Sequence, residues 1–78
     1  MEQVMSSLAP RAAGSSSLTP REREIVRLVS TGLANKAIAS GLFISEGTVK
    51  IHLHNIYRKL RVDGRLRLTI YAQQNGLT

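Results

Sequence analysis

The sequence predicts an all-α fold: a compact four-helix domain preceded by a flexible N-terminal tail. Three observations lead there. Apolar residues recur at three- and four-residue spacing from Ile25 onward. Helix-start residues (Thr19, Asn35, Ser45 and Asp63) stand ahead of those runs. No apolar–polar alternation is long enough to make a strand. A chain of 78 residues suffices for one such domain with a modest core.

Residues 1–17 are dominated by small and polar side chains, with Pro10, Gly14 and three consecutive serines. Such a segment buries too little apolar surface to offset its ordering entropy, so it is expected to be a flexible linker or tail. Val4, Met5 and Leu8 read as the end of a helix from a preceding neighbour, which would make the chain a fragment of a longer protein. The folded domain is expected over residues 18–78.

The first helix opens at Thr19-Pro20-Arg21-Glu22. Thr19 caps, Pro20 suits the first helical position, and Glu22 completes a capping box. Leu18 supplies one half of a hydrophobic staple. Ile25, Leu28 and Val29 follow at helical spacing, and Gly32 stops the helix in a left-handed cap. A short second helix is expected from a cap at Asn35 through Lys36, Ala37, Ile38 and Ala39 to about Gly41. Leu42, Phe43 and Ile44 make an apolar turn. Ser45 caps the third helix, which runs to Leu60, and Glu46 sits favourably at its positive end. After the turn Arg61-Val62, Asp63 is expected to cap a fourth helix from about Gly64 to Asn75, which Gly76 stops.

Charge narrows the function. All of the net +6 falls in residues 18–78, which hold ten Lys and Arg against four Asp and Glu. That excess calls for a polyanion, nucleic acid before an anionic membrane. There is no cysteine, no charged-then-apolar leader and no run of membrane-spanning length. The expectation is therefore a soluble, cytoplasmic protein with no membrane partner. His52 and His54, two apart on a helix, do not face each other, and nothing nearby completes a metal site. Glu22, Glu24, Glu46 and Asp63 lie at separate helix starts, so no carboxylate cluster could hold magnesium for a nuclease. No Ser/His/Asp set and no Gly-rich phosphate loop appears. The chain reads as a non-enzyme with no cofactor and no metal.

The third helix carries the strongest signal. At about 100° per residue, Val49, Leu53, Ile56 and Leu60 fall on one core-facing stripe, flanked by His52 and Tyr57. Lys50, Ile51, His54, Asn55 and Arg58 lie around the other side. A purely solvated face has no use for a bare isoleucine among cations, whereas the major groove of DNA offers both phosphates and thymine methyls. Short helix, turn and longer helix form a helix-turn-helix, whose second helix enters that groove. On this geometry Lys50 suits guanine acceptors or a nearby phosphate, Ile51 a thymine methyl, and His54 a base-edge donor or acceptor. Lys36, Ser45, Thr48 and Arg58 suit phosphates. The competing reading is a protein-interaction module whose basic face binds an acidic partner.

Leu18-Thr19-Pro20-Arg21-Glu22-Arg23-Glu24, Gly32-Leu33-Ala34-Asn35-Lys36, Ile38-Ala39, Ile44-Ser45, Thr48-Val49-Lys50, His52, Ile56, Lys59-Leu60, Val62 and Arg65 together resemble the LuxR-type helix-turn-helix, also called the NarL/FixJ or GerE-like effector domain. The likeness covers about Leu18 to Leu77. It implies a four-helix, DNA-binding domain of a bacterial transcriptional regulator, in particular a two-component response regulator. In such a regulator, phosphorylation of an N-terminal receiver frees the domain to dimerise on DNA. It places base contacts on Lys50, Ile51 and His54, and phosphate contacts near Lys36, Ser45, Thr48 and the basic end of the third helix. It also implies a homodimer contact through the fourth helix. There Leu66 and Ile70 lie four apart, nearly opposite the core side formed by Leu68, Tyr71 and Ala72, with Thr69 and Gln73 beside them. A symmetric dimer favours an inverted repeat in double-stranded DNA. The further partners implied are the receiver domain and RNA polymerase. Four positions depart from the family pattern. Ala37 replaces a common Glu, His54 a frequent Lys, Gly64 a Ser or Asn that would support the fourth helix, and Leu68 a common Ala.

Overall fold

The computed structural model describes residues 17–78. The expected tail at 1–17 lies outside the described residues except for Ser17, as does the helix end expected around Val4, Met5 and Leu8. The described residues form four helices and no strand: α1 Pro20–Ser30, α2 Asn35–Leu42, α3 Glu46–Leu60 and α4 Arg65–Gln74.

The start of α1 follows from local chemistry. Thr19 Oγ1 accepts from the Glu22 amide at 3.1 Å, and Glu22 Oε1 accepts from the Thr19 amide at 2.9 Å. This reciprocal pair satisfies donors that the first helical turn leaves without a partner. The staple position opposite Leu18 is occupied by Arg23, and Leu18 instead joins the main core. Thr31 ends the helix, and Gly32 takes φ 90°, a left-handed value that a side chain would resist. Ile25, Val26 and Val29 form the buried face.

α2 departs from the expected cap. Ala34 is the cap residue and bonds with no side-chain acceptor, while Asn35 is already helical. The Asn35 side chain is drawn away by a distant partner, because its Oδ1 accepts from Arg65 Nη1 at 2.7 Å. Ile38 and Ala39 bury the inner face. The following turn is also less enclosed than its apolar composition implies. Phe43 adopts φ 59°, ψ 42° and is 94 % exposed, while Leu42 and Ile44 pack against the core.

α3 matches its expected bounds and face. Ser45 Oγ accepts from the Thr48 amide at 3.1 Å, and Val49, Leu53, Ile56 and Leu60 are all buried. The chain reverses through Arg61, at φ 57°, and Val62. The expected Asp63 cap is displaced by one residue: Gly64 is the N-cap of α4, without a side-chain acceptor, and Asp63 is exposed. The missing side chain at Gly64 leaves this helix start to be held by its packing. Leu68 and Ala72 are fully buried, and Tyr71 packs beside them, as expected from the face analysis. Asn75 closes the helix and Gly76 takes φ 69°. α1 lies at the centre, against α4 and α3, and α2 packs mainly on α3.

Candidate nucleic-acid interface

Burying one stripe of α3 forces the opposite stripe outward. Lys50, His54 and Arg58 are exposed, and Ile51 is 64 % exposed beside them. Asn55 and Thr48 are half-buried at the edges of this face. Exposing most of an isoleucine forgoes roughly 1–2 kcal/mol of burial that a core position would recover. Among the described residues, none of Lys36, Lys50 and Arg58 is ion-paired. Their charge is therefore available to a partner.

Ser45 and Thr48 form a compact pair at the start of α3. Their hydroxyl oxygens are 2.9 Å apart, and one of the two protons fills that bond. The second proton remains free to donate outward. Glu46, in the first turn, complements the positive helix end. Lys36 is exposed in the first turn of α2, which contains no acid. Along α3, Ser45 and Arg58 stand about 20 Å apart at the normal helical rise, so they would reach well-separated phosphates rather than one.

Lys50 and His54, one turn apart, share a hollow of about 250 Å³ with Asn35, Leu53 and Tyr57. Asn35 thus brings an amide from α2 to the same place as two of the expected base-reading side chains. Its position in the sequence suits a cap, but its bond to Arg65 holds it here instead. Ser45, Thr48, Lys36 and Arg58 lie outside this hollow, and Arg58 borders a separate shallow one with Asn55 and Lys59.

Lys59 is not a free cation of the interface. Its Nζ donates to Glu22 Oε1 at 2.7 Å and to the Ser17 carbonyl at 3.2 Å. Glu22 is 4 % exposed. Burial pushes its carboxyl up, but hydrogen bonds from Lys59 and the Thr19 amide, together with the Lys59 charge, outweigh that effect and leave the group below its ordinary range. The surface pair Arg21–Glu24, at 3.6 Å, is widely exposed and adds little.

On α4, Leu66 is 73 % and Ile70 39 % exposed, with Gln73 exposed one turn further on. Ile70 also edges a cleft of about 400 Å³ with Val62, Tyr71, Arg61 and Arg67. Among the described residues no three His, Cys, Asp or Glu side chains gather as a metal site, and no helix is long and apolar enough to cross a membrane.

Comparison with known proteins places the chain in a family. Residues 16–72 match the family described as "Bacterial regulatory proteins, luxR family". The chain is 52 % identical over 60 residues to a nitrate/nitrite response regulator protein homolog of Haemophilus influenzae, covering 76 % of this chain and 29 % of that protein. It is 50 % identical over 60 residues to the nitrate/nitrite response regulator protein NarP of Escherichia coli K12, covering 76 % of this chain and 28 % of that protein. Among solved structures it superposes on the response regulator StyR with a TM-score of 0.78 at 42 % identity, over 82 % of this chain and 32 % of that one. The chain spans less than a third of the length of each of these relatives.

Proposed function

This chain belongs to the luxR family of bacterial regulatory proteins, and from that membership we propose that it binds duplex DNA sequence-specifically as the effector domain of a transcriptional regulator. α3 lies in the major groove. Lys50 donates to guanine acceptors, Ile51 meets a thymine methyl, and His54 contacts a base edge. Lys36, the outward hydroxyl of the Ser45–Thr48 pair, and Arg58 contact phosphates and set the register. The domain spans residues 18–78 and performs no catalysis. In a longer cytoplasmic protein it follows a receiver domain and acts on RNA polymerase, a reading supported by its likeness to response regulators.

Two copies pair through α4, with Leu66, Ile70 and Gln73 at the seam, over an inverted repeat. The helix face is short, so the pair holds firmly only when DNA supplies the second set of contacts.

The observation that carries the proposal is an isoleucine 64 % exposed within a row of unpaired cations on a helix whose other side is fully buried. The experiment is equilibrium binding of the chain to labelled duplex DNA across a salt series. Affinity should fall steeply with salt, with a slope set by the phosphates neutralised. Absence of duplex binding even in dilute buffer, with retention of an acidic protein partner, would instead favour the protein-interaction module.

A further inference from the structure

Arg65 opens α4, yet its guanidinium serves another helix. Nη1 donates to Asn35 Oδ1 at 2.7 Å, and Nη2 donates to the Leu33 carbonyl oxygen. These two acceptors flank Ala34, the residue that should cap α2 but has no side chain able to do so. The entry of α2 is thus held from outside, by a fork that spans its cap position. α4 packs chiefly against α1, so this guanidinium is a direct polar tie from α4 to the front of α2.

The charges at this point are arranged against the isolated protein. The first turn of α2 is the positive end of a helix, carries Lys36, and holds no acid. Arg65 adds another cation to it. Such a grouping is unfavourable in water and becomes favourable when an anion arrives. An arginine suits the role because its planar fork meets two acceptors at fixed spacing, which a lysine point charge cannot do.

We infer that Arg65 is a positioning residue for DNA binding: from α4 it fixes the entry of α2 so that Lys36 meets the phosphate backbone in register with the side chains that α3 presents. The inference rests on the DNA-binding reading above. It also joins two surfaces, because the helix that bears Arg65 bears Leu66 and Ile70 as well.

A double-mutant cycle tests it. Affinity for a labelled mixed-sequence duplex is measured at low salt for the native chain, Arg65→Lys, Lys36→Ala and the double variant, with far-UV circular dichroism confirming that each is folded. Arg65→Lys keeps the net charge and removes only the fork. It should weaken binding roughly three- to tenfold, and Lys36→Ala should cost much less in that background than in the native chain. Unchanged affinity in Arg65→Lys overturns the inference, and so does an equal Lys36→Ala penalty in both backgrounds, because Arg65 would then act independently of α2. Should Arg65→Lys fail to fold, Asn35→Ala removes the other end of the same bond, and the same cycle with Lys36→Ala applies. Failure of the native chain to bind duplex at all would defeat the DNA-binding reading itself, and is distinguishable from either result.

Discussion

Lys59 of α3 and Glu22 of α1 meet across the domain, with Nζ 2.7 Å from Oε1 although 37 residues separate them. The carboxylate is buried, is shared with the Thr19 amide, and is part of the α1 capping box. One side chain therefore starts α1 and also fixes the far end of the helix proposed to enter the groove. Lys59 is partly exposed, at 34 % of its side chain, so the pair is worth less than a fully enclosed one.

That pair gives stability a definite pH dependence. The folded Glu22 carboxyl lies below the ordinary value of 4.5, so its contribution is fully present above that value and is lost as pH falls through the lower folded value. Urea unfolding at a series of pH values should show the native chain weakening on acidification below about pH 4.5, and Glu22→Gln should weaken less steeply over the same range. At neutral pH, Glu22→Ala should cost about 2–3 kcal/mol by removing a cap and a charge-assisted bond together. Identical acid profiles for the native chain and Glu22→Gln would contradict this assignment.

Phe43 offers a prediction of opposite sign. Its left-handed backbone is disfavoured for a residue with a bulky side chain, and its 94 % exposure means that little burial is at stake. Phe43→Asn should raise stability by about 0.5–1 kcal/mol, read as a higher urea midpoint with an unchanged slope. A loss of stability would show that the ring contributes to folding.

These two cases mark where sequence reasoning succeeded and where it stopped. The Thr19–Glu22 box and the stripe Val49, Leu53, Ile56 and Leu60 were legible because both depend on spacings within one or a few turns. The outward position of Lys50, Ile51 and His54 followed from that stripe. Asn35 misled because its capping chemistry was claimed by Arg65, 30 residues away, and a contact of that range leaves no local pattern. Lys59 shows in sequence only as part of the basic end of α3, because its partner Glu22 is equally remote along the chain. Asp63 resembled a cap, but the helix begins one residue later, behind Gly64. Phe43 belongs to the expected apolar turn, but composition does not show which of its three side chains faces out; the left-handed backbone at Phe43 decides that.

Arg58 and Lys59 are adjacent cations with different predicted roles. Arg58 is exposed, while Lys59 is engaged by Glu22 and Ser17. Arg58→Ala should weaken binding to specific and mixed-sequence duplexes by the same factor and reduce the salt slope by about 1. Lys59→Met should act first on stability, leaving an unpaired buried carboxylate, with a smaller change in that slope. Equal salt slopes for Arg58→Ala and the native chain would remove Arg58 from the phosphate contacts.

Pairing through α4 can be separated from contact with DNA. Leu66 is 73 % exposed, so Leu66→Glu should leave the fold intact. It should lower affinity for a duplex with two inverted half-sites by about tenfold or more, through like-charge repulsion at a two-fold seam, and leave single half-site binding nearly unchanged. An equal loss on both duplexes would place Leu66 outside the seam.

Selection from random duplexes, with sequencing of the bound pool, measures the reading face itself. The native chain should enrich paired half-sites in inverted orientation. Lys50→Ala should relax the preference at one base position within each half, a loss of roughly 1–3 kcal/mol in discrimination, while the remaining positions persist. A pool with no enriched sequence, or a Lys50→Ala pool identical to the native one, would contradict base reading by the outward side of α3.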